Sequence, residues 1–205
     1  MLIYLHGFNS SPQSHKAQLL GRYLAERGLG GCYACPALPH QPDAAVAVIE
    51  AELAQAPGGP VTLVGSSLGG YYATWFAESH GLKAVLINPA VHPHRDLRTF
   101  LGVQQNLHTG EKYELTGTHL EQWTRLFVPV LTPARYLLLV ETGDEVLHYG
   151  EAVGRYAGAK QVVVQGGDHS FRSFPDHIAP ILEFAGLSGV APGFSESSSR
   201  SRGGA

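Results

Sequence analysis

The sequence predicts one open α/β domain, with a mostly parallel sheet of about six strands and helices on both faces. Short runs rich in Val, Ile and Leu alternate with helix-periodic stretches along most of the chain. The runs lack apolar/polar alternation, which is the pattern of strands buried on both faces of a parallel sheet. The 205 residues suffice for one domain with a substantial core and are short for two.

The strand-like runs are "LIYLHG" (2–7), "GCYACPAL" (31–38), "VTLVGS" (61–66), "KAVLINPA" (83–90), "RYLLLVET" (135–142) and "KQVVVQGG" (160–167). Between the first two, "SPQSHKAQLLGRYLAERG" sets Leu19, Leu20, Tyr23 and Leu24 on one helical face and ends at Gly28. "PDAAVAVIEAELAQAPGG" spaces Val46, Ile49 and Leu53 at helical intervals and stops at Pro57 and Gly58. Further helices are expected at about 68–80, 148–157 and 175–185. Residues 91–134 break the rhythm, with a helical segment near Leu120–Leu126 and no strand-like run. That length exceeds what a crossover needs, so a small lid over a site is expected there. The domain is placed at 1–187, and the Ser/Gly/Arg-rich 188–205 is read as a flexible tail.

A net charge of −3 argues against an electrostatic grip on nucleic acid or anionic lipid. No apolar stretch approaches the roughly 20 residues that span a bilayer. "MLIYLHGFNSS" lacks the features of a signal peptide, so a cytoplasmic protein is the default. Two cysteines are too few for a disulfide framework.

In such sheets ligands bind beyond the carboxyl ends of the strands. After the third run, G-x-S-x-G fits in one register, Gly65-Ser66-Ser67-Leu68-Gly69, which makes Ser67 and not Ser66 the candidate nucleophile. A nucleophile elbow holds its serine in a strained turn, and side chains two positions away on either side would crowd it. A Gly/Ser turn without chemistry is the bland alternative. The serine needs a base, and the base an orienting acid. Asp144 follows the fifth run and His169 the sixth, in loops and in the order Ser, acid, His. Glu145 and Asp168 are weaker acids by position, and Glu141 is read as still within its strand. His119, His148 and His177 lie away from strand ends.

The first run exits through "YLHGFNSSP". Its backbone supplies the other oxyanion donor, with Phe8 the first candidate and Asn9 the second, beside Leu68 after the nucleophile. His6 is structural or lines the pocket; Asn9 and Tyr71 are candidate substrate contacts. No metal site is expected: "CYAC" stands alone in a strand-like run, and His92-Pro93-His94 lacks further ligands.

These residues resemble the YqiA/YcfP-type esterase family (the UPF0227 group) of the α/β-hydrolase superfamily, over about residues 1–187. The likeness rests on "YLHGFNSSP.S.KA", "VGSSLGGYYATW", "INPAV.P", "TGE.Y.L", "TGDEVL.Y" and "GGDHSF". It implies a compact α/β-hydrolase fold with Ser67 as nucleophile, Asp144 as acid and His169 as base. His148 departs from it where an acidic residue is expected, and the tail is not part of the pattern.

The reading is therefore a cofactor-independent serine hydrolase of acyl esters or thioesters with small or medium acyl chains. Two other classes compete with it. One is a non-catalytic scaffold of the same fold that binds a ligand or partner. The other is a thiol redox protein using Cys32 and Cys35. The sequence is silent on oligomeric state.

Overall fold

The computed structural model describes residues 1–188, so the expected tail lies, from residue 189 onward, outside the described residues. In chain order the strands are β1 (Leu2–Leu5), β2 (Tyr33–Ala34), β3 (Thr62–Ser66), β4 (Lys83–Ile87), β5 (Gly102–Gln105), β6 (Lys112–Leu115), β7 (Tyr136–Glu141) and β8 (Lys160–Val164). The helices are α1 (His15–Ala25), α2 (Pro42–Gln55), α3 (Leu68–His80), α4 (Pro93–Asp96), α5 (Gly117–Arg125), α6 (Tyr149–Arg155) and α7 (Phe174–Phe184).

Six strands form one wholly parallel sheet in the order β2-β1-β3-β4-β7-β8. Alternate residues of each strand serve opposite faces. Ile3, Leu5, Leu63, Leu86 and Leu138 pack under α2, α3 and α6, whereas Leu2, Tyr4, Val64, Val85 and Leu137 pack under α1 and α7. This two-sided burial is why the runs read as continuously apolar. The order reverses between β1 and β3, the switch point where open α/β sheets place their ligands.

Three expectations need correction. The run at 31–38 contributes only the two-residue edge strand Tyr33–Ala34, because Pro36 and Pro39 follow and cannot continue a ladder. The run at 160–167 ends at Val164 on the opposite edge, where Val163 is 40% exposed. The insertion, read as lacking strands, holds the antiparallel hairpin β5–β6. Its strands have four residues each, pair among the described residues only with each other and show an outward face, so they carry little apolar signal.

The hairpin sits between α4 and α5. Helix α5 anchors the insertion through Trp123, fully buried against the α3 side of the sheet. The Trp123 indole donates to the Tyr72 hydroxyl at 2.9 Å, and the Tyr71 hydroxyl donates to the Trp123 carbonyl at 2.6 Å. Both polar tips are thereby satisfied in a buried contact.

Candidate active site

Strand β3 runs into α3 through Ser67, whose φ of 53° and ψ of −121° lie in a region L-residues rarely occupy. The flanking glycines permit the turn. A Cβ on Gly65 would lie 2.4 Å from the Gly69 carbonyl oxygen, and one on Gly69 would lie 1.9 Å from that of Leu5. The Ser67 N–H donates to the Ile87 carbonyl at 3.0 Å, and its carbonyl accepts from the N–H groups of Gly70 and Ala90. The elbow is thus over-determined by its neighbours.

Asp144 follows β7 and His169 follows β8. The imidazole Nδ1 lies 3.0 and 2.9 Å from the two oxygens of Asp144, and Nε2 lies 3.1 Å from Ser67 Oγ. A carboxylate accepts only, so Nδ1 carries the hydrogen and Nε2 is left to accept from the serine hydroxyl. The Asp144 side chain is 1% exposed, and that of His169 is 23% exposed on the cavity side. Desolvation opposes ionisation of Asp144. Hydrogen bonds from His169 and from the N–H groups of Leu147 (2.8 Å) and Val146 (2.9 Å) outweigh it, and the carboxyl titrates below its usual range.

Opposite the imidazole, β1 delivers the loop of Phe8. Among the described residues, the N–H groups of Phe8 and Leu68 have no hydrogen-bond partner. Leu68 opens α3, so its N–H lies at the positive end of a 13-residue helix. A cavity of about 580 Å³ opens over Ser67 and His169. Phe8, Leu68, Ala90 and Leu147 line it from the sheet side, and Leu97, Phe100, Gln104 and Leu107 from the insertion.

The other candidates fall elsewhere. Tyr71 is corrected: it is 4% exposed and faces Trp123, because α3 turns it away from the cavity and under α5. Asn9 borders the cavity, but its side chain is already engaged, donating to Gln104 at 3.3 Å and accepting from Tyr113 at 2.7 Å. It ties the Phe8 loop to the hairpin. His6 is 4% exposed; its Nε2 accepts the Leu38 N–H at 3.0 Å, which leaves Nδ1 to donate to the Gly7 carbonyl at 3.1 Å. Burial lowers its pKa, which keeps the ring neutral between its two backbone partners. Glu145 reaches the His169 N–H at 3.0 Å and not the ring. His148 stands at the N-cap position of α6 and stacks on Tyr149.

Cys32 and Cys35 are both free, and burial pushes the Cys35 thiol up to about 12, far from thiolate reactivity. No group of three His, Cys, Asp or Glu suited to a metal ion occurs among the described residues. No helix among them is long and apolar enough to cross a membrane. Sequence reasoning passed over Glu141 and Asn88, whose side chains hold the His169 loop. The available signal for the first was a carboxylate ending an otherwise apolar buried run, "YLLLVE".

Residues 1–186 match the uncharacterised protein family UPF0227. The chain belongs to that family. Two UPF0227 relatives, from Vibrio vulnificus strain CMCP6 and Vibrio parahaemolyticus strain RIMD 2210633, are each 23% identical over 186 residues. The match covers 90% of this chain and 98% of each relative. Among solved structures, a protein from Agrobacterium vitis S4 superposes with a TM-score of 0.71 at 18% identity, over 90% of this chain and 87% of that one. The monoacylglycerol lipase of Paleococcus ferrophilus gives 0.61 at 14%, over 91% and 94%. Mouse alpha/beta hydrolase domain-containing protein 10 gives 0.62 at 16%, over 89% and 88%. This UPF0227 chain therefore has the α/β-hydrolase fold.

Proposed function

We propose that this UPF0227 protein is a serine hydrolase that cleaves carboxylic esters or thioesters through an acyl-enzyme. The observation that carries the reading is the continuous hydrogen-bonded chain from Asp144 through His169 to Ser67 at the floor of an apolar cavity. Esterase and lipase names among the fold neighbours agree with it.

Ser67 Oγ attacks the acyl carbon and passes its proton to His169 Nε2. Asp144 keeps the ring in the required tautomer and stabilises the imidazolium that forms. Charge gathering on the carbonyl oxygen is met by the N–H groups of Phe8 and Leu68. A single such donor contributes on the order of 10²–10³ in kcat. Collapse of the intermediate expels the alcohol or thiol, protonated from Nε2. A water molecule, deprotonated by His169, then attacks the acyl-enzyme and frees the acid. The acyl chain lies against Phe100, Leu97 and Leu147, and the cavity volume suits a small or medium chain.

The test is a series of acyl esters and thioesters of increasing chain length on wild type, Ser67→Ala and Ser66→Ala. Ser66→Ala is expected to keep turnover and Ser67→Ala to lose it. Full activity in Ser67→Ala removes the proposal. A wild type that neither turns over nor reacts with a fluorophosphonate is instead a ligand-binding scaffold.

A further inference from the structure

Glu141 closes β7 at 1% exposure, in a strand whose other residues are all apolar or aromatic, and the proposed chemistry does not use it. A carboxylate buried so deeply needs full hydrogen bonding. Its Oε2 accepts the N–H groups of Asp168 (2.8 Å) and Arg172 (3.2 Å), and its Oε1 accepts the N–H (2.9 Å) and hydroxyl (2.7 Å) of Ser173. All four donors belong to the loop 168–173 that carries His169. The loop folds directly onto the carboxylate: at Gly167, with φ of +72°, a Cβ would lie 2.0 Å from Oε2.

Asn88, 3% exposed and held at a φ of 40°, grips the same loop from behind. Its Oδ1 accepts the Glu141 N–H at 3.0 Å, and its Nδ2 donates to the carbonyls of Asp168 (3.1 Å) and His169 (3.3 Å). Three of the loop's N–H groups therefore point to one buried side chain and two of its carbonyls to another. Other ties, from Lys16 to the Ser170 carbonyl and from Glu145 to the His169 N–H, are solvent-exposed and contribute little.

We propose that Glu141, braced by Asn88, is a positioning residue for His169. It winds the 168–173 loop around a buried carboxylate and so fixes the backbone from which the imidazole spans Asp144 and Ser67. The assignment rests on the triad reading above. Its control is built into the molecule. Glu78 is also a many-bonded carboxylate, accepting from the Thr132 N–H and hydroxyl, the Tyr136 hydroxyl and Arg135, but it holds the exit of the insertion and not the histidine loop.

Glu141→Gln, Ser173→Ala and Glu78→Gln are compared with wild type in ester turnover, in the rate of labelling by a fluorophosphonate, and in thermal melting. Glu141→Gln turns a donor amide toward the loop's N–H groups. It is expected to lower kcat and the labelling rate together, by about 10- to 100-fold, with KM within about twofold. Ser173→Ala, which removes one of the four bonds and strands no charge, is expected to lower both about threefold. Glu78→Gln is expected to melt earlier and keep both rates. A folded Glu141→Gln with wild-type rates overturns the proposal, as does an equal loss of rate in Glu78→Gln. If Glu141→Gln does not fold, wild-type rates in Ser173→Ala overturn it and lowered rates support it. A wild type that is never labelled fails the hydrolase reading instead. The low-field proton resonance of His169 Nδ1–H then decides the positioning role: loss in Glu141→Gln or Ser173→Ala supports it, and persistence in both overturns it.

Discussion

The carboxyl ends of β3, β7 and β8 and the insertion 91–134 face each other across one cavity, yet they are held in opposite ways. Strands β3 and β7 are buried at every residue, and the turns at their ends are locked by strain and by satisfied buried polar groups. Ser67, Asn88 and Phe171 all carry positive φ, and Glu141 and Asp144 are ringed by donors. Among the described residues the hairpin β5–β6 pairs only with itself, which is marginal for two strands in water. It leans on the Phe8 loop through Tyr113 and Gln104 to Asn9 and through Asn106 to the Ser10 carbonyl. Above the cavity it exposes apolar surface, with Leu107 at 85%, Val103 at 79% and the nearby Phe100 at 49%. Atoms that must be placed to within a few tenths of an ångström sit on the sheet; surface that need only be apolar sits on the insertion.

Substitutions on the two sides should therefore differ in kind. The largest effect is expected for Asp144→Asn, which leaves the fold intact but offers the wrong tautomer to His169. Its kcat should drop by about 10⁴-fold with KM little changed. A variant within tenfold of wild type would place the acid elsewhere. On the insertion, Phe100→Ala should act on KM, raising it about tenfold for a medium-chain ester and less for an acetyl ester, as expected for lost apolar contact. An equal loss of kcat for both esters would erase the distinction between the two regions. Tyr113→Phe removes the hydroxyl that ties the hairpin to Asn9. It should shift KM by about threefold, the size of one hydrogen bond, and leave the fluorophosphonate labelling rate alone.

The hydrogen-bonded carboxylates also carry an acid signature. Desolvation opposes ionisation of Asp144, Glu141 and Glu78, but the hydrogen bonds they accept win, and all three titrate below their usual range. A carboxyl depressed in the folded state stabilises it above the unfolded value of about 4 and loses that contribution as pH falls through the folded value. Thermal melting should begin to decline below about pH 6.5, where His6, His94 and His119, kept neutral by burial, are protonated more readily in the unfolded chain. It should decline further below about pH 4, that second decline being shallower in Glu141→Gln. A melting temperature that is flat down to pH 3, or equally steep in that variant, would contradict this.

The same division explains what could be read from the sequence. The sheet shows in the sequence because buried parallel strands are written as continuous apolar runs, and the elbow because close backbone approach demands glycine at 65 and 69. The candidates Ser67, Asp144 and His169 are read from the G-x-S-x-G register and from the loops that follow the fifth and sixth apolar runs. The hairpin is illegible because four polar-faced residues per strand carry no such run. Tyr71 was misplaced because its direction depends on how α5 packs across α3, a contact made 52 residues later in the chain. Glu141 is opaque for a related reason. Three of its four donors are backbone N–H groups 27 to 32 residues away, and these have no side-chain signature.

The central claim, that Ser67 is the nucleophile of this constellation, is tested most directly by fluorophosphonate labelling followed by peptide mapping across residues 61–75. One adduct is expected, on Ser67, undiminished in Ser66→Ala and absent in Ser67→Ala. An adduct on Ser66 or on any other residue, or labelling that survives Ser67→Ala, would contradict it.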